Sequence, residues 1–231
     1  MKNSTKKYQR IDKILSNLGY CSRSKVKELL SEHRVSVMGK VIKNPSLKVE
    51  PSQVVIDNEA LDHPDGITIL LNKPAGYVCS HNSSEGRRVY DLLPERWMKR
   101  NPVPVTAGRL DKDTTGALLI TDNTQLVHRL TSPRQHVQKK YRVTVDKPLN
   151  DTLIVLFSSG TLTLPGEEKP CLPADLTIID EYTADLTLTE GRYHQVKRMF
   201  ATQGYSVEAL HRMSFAEYTV KGLKEGEWVE L

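Results

Sequence analysis

Apolar residues at Ile11, Ile14, Leu15 and Leu18 repeat at the spacing of one helical face, and Gly19 follows where a left-handed C-terminal residue suits glycine. A second helix is predicted over residues 23–32, capped by Ser22, with Val26, Leu29 and Leu30 turned inward and Arg23, Lys25 and Lys27 in water. Residues 34–42 alternate around a central Gly39, the pattern of a tight hairpin. These elements predict a compact unit over residues 10–59, after a basic extension at 1–9. Residues 60–66 contain Pro64 and Gly66 and carry no periodicity, which predicts a linker. Over residues 67–231 strands are predicted at 67–71, 116–121, 140–146 and 183–189, and helices at 122–130 and 194–203. Many strands, few helices and no regular βαβ alternation predict an α+β fold with a largely antiparallel sheet.

Composition narrows the class. The longest uninterrupted apolar run, residues 153–157, is far below the roughly 20 residues of a membrane span, so no membrane association is expected. The N-terminus is positive but has no apolar stretch behind it, which argues against a secretory signal and predicts a cytoplasmic protein. Cys21, Cys79 and Cys171 lie far apart with no CxxC, and none of the seven histidines pairs with a carboxylate or cysteine at ligand spacing. Neither a disulfide framework nor a metal is expected. Charge is uneven: residues 1–50 hold 12 Lys and Arg against 4 Asp and Glu, net +8, although the whole chain is only +5. Such a basic head concentrates polyanions and makes nucleic acid the first candidate partner, against the alternative of a solvated basic face.

Three segments could carry chemistry. Gly108-Arg-Leu-Asp-Lys-Asp-Thr-Thr-Gly116 is a polar loop before an apolar strand, either a turn with internal hydrogen bonds or the rim of a cleft. It lacks the Gly-Lys-Ser/Thr and the following helix of a phosphate cradle, so nucleotide hydrolysis is excluded. In Lys139-Lys-Tyr-Arg-Val-Thr-Val145, alternation puts Tyr141 on the face of Val143 and Val145, as a core tyrosine or a site residue. In Glu190-Gly-Arg-Tyr-His-Gln-Val-Lys-Arg-Met-Phe200, helical spacing aligns Val196, Met199 and Phe200, with Lys197 on the flank of that stripe and Arg198 on the far side, toward solvent or phosphate.

Two resemblances sharpen these readings. Arg10-Ile-Asp-Lys-Ile-Leu, Ser22-Arg-Ser-Lys-Val and Val35-Ser-Val-Met-Gly resemble the RNA-binding domain named after ribosomal protein S4, which implies RNA contacts at Arg10, Lys13, Arg23, Lys25 and Lys27. The three segments above, with Leu71-Asn-Lys-Pro-Ala-Gly-Tyr77 and Leu210-His-Arg212, resemble in order the motifs of RsuA-type pseudouridine synthases. The resemblance implies a synthase domain over residues 67–231, with Asp111 as the essential carboxylate, Tyr141 packed on the target base and Leu210 lining its pocket. It implies Lys197 as partner of Asp111, where a cation favours the ionised form. Further RNA or base contacts fall on Arg109, Arg212, Arg192, Arg198 and Lys73. The reaction turns a uridine into pseudouridine without cofactor, metal or energy donor. The details look closest to the enzyme of small-subunit (16S) ribosomal RNA, acting as a monomer on a partly assembled subunit. A large-subunit enzyme and a non-catalytic RNA-binding assembly factor stand as alternatives.

Overall fold

The computed structural model describes residues 8–231, so the extension expected at 1–9 lies, through residue 7, outside the described residues. The chain forms two compact units, the first holding the chain up to Ile67 together with Leu93–Val105 and Thr121–Asn123, the second holding Thr68–Leu92, Thr106–Ile120 and Thr124–Leu231. The architecture is α+β, with five α-helices and mostly antiparallel pairing among the described residues. No helix among them is long and apolar enough to cross a membrane.

In the first unit the helices Ile11–Asn17 and Val26–Ser31 pack their apolar faces into one core with Val35, Val49, Val54, Ile56 and Leu61. Two-residue turns in left-handed geometry, Met38-Gly39 and Asp57-Asn58, reverse the chain between strands Val35–Val37 and Lys40–Val41 and between Val54–Ile56 and Glu59–Ala60. Left-handed pairs match the right-handed twist of hairpins. The second helix departs from expectation. Residues 23–25 form a 3-10 turn, and the Ser22 side chain caps no backbone group, because its hydroxyl meets that of Ser24 at 2.9 Å.

Residues 60–66, which read as a linker, are held within this unit. Leu61 is buried in the core, Arg96 and Trp97 donate to the Asp62 carboxylate, and Arg100 reaches the carbonyls of Asp62 and His63 and the carboxylate of Asp122. Gly19 lies against Arg96 and Lys99, where a Cβ would stand 2.7 Å from the Arg96 carbonyl oxygen.

The second unit is built on a mixed sheet. Its strands lie in the spatial order Asp175–Ile178, Thr183–Leu188, Lys139–Val145, Val207–Phe215, Thr115–Thr121, Thr68–Lys73 and Trp228–Glu230. Thr115–Thr121 runs parallel to Val207–Phe215 and is buried almost throughout, as a strand covered on both faces must be. One layer of core joins Leu70, Ala117, Leu119, Leu130, Phe215 and Val220. The helix Gln195–Ala201, seven residues long, is too short to persist alone, and buried Val196, Met199 and Phe200 fasten it, each apolar side chain contributing about 1.5–3 kcal/mol. Its partner strand is Val207–Phe215.

Candidate active site

The loop from Gly108 to Gly116 is fixed at several points. Gly108 and Gly116 take φ of +74° and +106°, and a Cβ at Gly116 would stand 2.2 Å from the Arg212 carbonyl oxygen, so only glycine allows the parallel strands to meet there. The Leu110 amide donates to the buried Cys79 sulfur at 3.5 Å, and the Gly76 amide donates to the Lys112 carbonyl at 2.7 Å. Lys73 is wholly buried and donates to the carbonyls of Pro74, Lys112 and Thr114. Burial lowers its pKa, and the three carbonyls keep its protons occupied. The expected RNA contact at Lys73 is therefore corrected: its ammonium stitches the loop from beneath and faces no ligand.

Asp111 stands at the edge of this loop with its side chain 29% exposed. Its Oδ1 is 3.3 Å from His194 Nε2, and its Oδ2 is 3.7 Å from Lys197 Nζ. Lys197 comes closer to a second carboxylate, 2.7 Å from both oxygens of Asp113, and this hydrogen bond lowers the Asp113 pKa. The cation expected to serve Asp111 is thus shared, and the shorter contact to Asp111 comes from the imidazole.

Tyr141 is buried on the face of Val143 and Val145, as the alternation predicts, and pairs across the sheet with Arg212, while Val143 pairs with Leu210. Tyr141, Leu188, Val196 and Leu210 line a narrow cleft of about 70 Å³ with Asp111, His194 and Lys197. A wider cleft of about 610 Å³ opens over Asp111, Tyr141, Lys139, Arg212, Phe215 and Tyr193. Arg109 is exposed beside both.

Three further arginines were expected to meet RNA, and their surroundings differ. Arg212 is 2% exposed; its Nε donates to the Ala117 carbonyl, its Cζ lies 4.8 Å from the Phe215 ring centroid, and Nη2 is buried with no hydrogen-bond partner among the described residues. Arg192 and Arg198 are turned into the protein. Arg192 binds Glu167, Glu190 and the carbonyls of Lys169 and Pro170; Arg198 binds Glu167 and the carbonyls of Tyr193 and Pro165. Both hold the loop that carries Glu167 against the Gln195–Ala201 helix, which corrects the placement of Arg198 toward solvent or phosphate, while Arg192 also lines both clefts.

Sequence reasoning passed over Lys139, whose ammonium donates to the Val137 carbonyl at 2.9 Å and lies 5.6 Å from the Phe215 ring centroid. Burial, and then the nearby Arg212, push its pKa down from 10.5 to about 8. The signal was available, since Lys139 is two residues before Tyr141 and shares its face. His194 was passed over as a partner of Asp111 for another reason. Its backbone is left-handed, φ +48° and ψ 35°, a conformation that no sequence pattern announces in a non-glycine residue and that costs of order 1–3 kcal/mol.

Comparison with known proteins shows the family. Residues 67–202 match the family model described as RNA pseudouridylate synthase, and residues 9–55 match the S4 domain. Proteins named ribosomal small subunit pseudouridine synthase A are similar along nearly the whole chain. The one from Yersinia pestis is 41% identical over 225 residues, covering 95% of this chain and 93% of that protein. The one from Escherichia coli (strain K12) is 38% identical over 224 residues, covering 95% and 94%. A solved structure titled "Crystal structure of pseudouridylate synthase" superposes with a TM-score of 0.66 at 35% identity, covering 96% of this chain and 95% of that one. These matches cover nearly the whole chain, in sequence and in fold: the chain belongs to the RNA pseudouridylate synthase family and carries an S4 domain ahead of its synthase domain.

Proposed function

We propose that this protein isomerises a uridine of small-subunit (16S) ribosomal RNA to pseudouridine, with Asp111 as the carboxylate that acts on the nucleotide. The observation that carries this reading is Asp111 at the rim of a cleft whose wall includes Tyr141 and Leu210, with His194 and Lys197 beside the carboxylate. The N1–C1′ bond breaks, the uracil turns, C5 bonds to C1′, and the proton leaving C5 balances the proton gained at N1. The target must first leave its stack, because base pairing and stacking shield both faces of the ring and the glycosidic bond. The cleft then receives the base against Tyr141, with Leu210 limiting its rotation, and its sugar meets Asp111. Attack at C1′, addition at C6 and removal of a sugar proton all need an ionised carboxylate. Arg109, exposed beside the cleft, is suited to hold the phosphate where the base came out.

The small-subunit target draws support from the names of the similar proteins, and RNA as the partner from the S4 domain. We further propose that the protein acts in the cytoplasm, as a monomer, on RNA in a partly assembled subunit, with residues 10–59 as the RNA-holding part and 67–231 as the catalytic part. Asp111→Asn keeps the shape of the side chain and loses its charge. It should abolish pseudouridine formation while RNA affinity and folding persist. Turnover within about tenfold of wild type, a barrier change of only ~1.4 kcal/mol, would remove Asp111 from this role. Mapping pseudouridines in ribosomal RNA from cells lacking the protein identifies the target; a missing site in large-subunit RNA alone would overturn the small-subunit assignment.

A further inference from the structure

Tyr193 is the most exposed aromatic residue beside the cleft, 77% open to solvent. Its ring is stacked on His194, centroids 3.8 Å apart and planes 17° from parallel, so the imidazole covers one face and the other remains open. The mount is stiff. The carbonyl of Tyr193 accepts from Arg198, Arg192 on its other side is tied to Glu167 and Glu190, and His194 leads directly into the helix anchored by buried Gln195 and Val196. The far end of this short stack is His194 Nε2, 3.3 Å from Asp111.

A flat ring held open to solvent on a rigid support, in the wall of a cleft that also presents Arg109, suits the π-face of a nucleobase, and a pre-organised platform loses little freedom on binding. We propose that Tyr193 stacks the base of a nucleotide next to the target uridine, and that this docking steadies His194 against Asp111, so that engagement of the neighbouring base is transmitted through two stacked rings to the carboxylate. The inference rests on the reading of the chain as a uridine-isomerising enzyme. It makes Tyr193 a specificity-determining contact and His194 a positioning residue.

The test uses the full chain and a transcript of small-subunit ribosomal RNA, comparing wild type with Tyr193→Phe, Tyr193→Ala and His194→Gln. Stacking predicts that Phe keeps KM within about twofold while Ala raises it roughly 5- to 100-fold, the range expected when one base–aromatic stack is removed. His194→Gln should instead lower kcat per folded molecule at nearly constant KM, with the folded fraction read by circular dichroism so that a loss of structure is separated from a loss of positioning. A second readout is independent of turnover: the emission of Tyr193→Trp, taken as a difference from wild type, should be quenched by poly-uridylate and not by inorganic polyphosphate of matched charge. Equal KM values for Ala and Phe, with a Trp signal indifferent to poly-uridylate, would overturn the platform. Quenching by poly-uridylate with no pseudouridine formed in any ribosomal RNA would leave the platform standing and remove the isomerase reading on which its role in catalysis depends.

Discussion

Lys139 shows how a single buried cation ties stability and binding to pH in opposite senses. Its pKa is lowered to about 8 in the folded protein from 10.5. Between those values the unfolded chain holds a proton that the folded chain has released, so this group makes stability rise with pH across that window and costs the fold something below it. Its charge, however, faces a cleft proposed to take a polyanion, and that attraction fades as pH passes about 8. Profiles of kcat/KM, which report groups of the free enzyme, should therefore fall on the alkaline side near that value in wild type and stay level in Lys139→Arg, whose guanidinium remains charged. An identical alkaline limb in both proteins would show that the ammonium takes no part. At this scale the sequence was readable where one segment sufficed: alternation in residues 139–145 placed Tyr141 inward, as found. What surrounds Lys139 comes from Arg212 and Phe215 on another strand, and what diverts Lys197 is Asp113 in a distant loop. Local periodicity holds no record of either encounter.

Six elements in the synthase unit were readable because their apolar residues repeat with one period, whereas the helix Thr152–Ser158 and the central strand Val207–Phe215 were not read. The strands at 67–71, 116–121, 140–146 and 183–189 and the helices at 122–130 and 194–203 are found within a residue or two at most of their ends, as Thr68–Lys73, Thr115–Thr121, Lys139–Val145, Thr183–Leu188, Thr124–Thr131 and Gln195–Ala201. The contact that aligns two of these strands was not readable, since nothing local to Gly116 or Arg212 says they meet. There the test is Gly116→Ala. The methyl group would enter the Arg212 backbone at a φ that alanine adopts only under strain, costing about 2–5 kcal/mol in combined strain and overpacking. Urea unfolding should show a midpoint lowered accordingly. Gly39→Ala offers the control, because a Cβ there meets nothing within 4 Å and only the left-handed backbone is penalised. Equal shifts for the two variants would show that the close approach at Arg212 is relieved cheaply.

Over the whole molecule, the uneven charge survives as exposed Lys13, Arg23, Lys25 and Lys27 on the first unit's two helices and the turn between them. Replacing these four by Gln should flatten the salt dependence of RNA binding by up to about 0.9 in logarithmic slope for each phosphate that gives up its cation, with unfolding unchanged. An unaltered slope would mean that these side chains are solvated surface and nothing more. Removing residues 1–60 outright is a poorer test, because it strips away the helix behind Gly19 and leaves the Arg96 and Trp97 clamp without its unit. That clamp has a consequence in time. A chain leaves the ribosome from its N-terminus, and domains tend to fold in the order they emerge. The core formed by residues 11–61 can close early, yet Asp62 and His63 receive Arg96, Trp97 and Arg100 only after residue 100 is free, and Asp122 joins Arg100 later still. The RNA-binding head is therefore assembled before the stretch that follows it is secured. A nascent chain stalled short of residue 96 should be cut by protease at residues 62–66, and one released past residue 123 should resist.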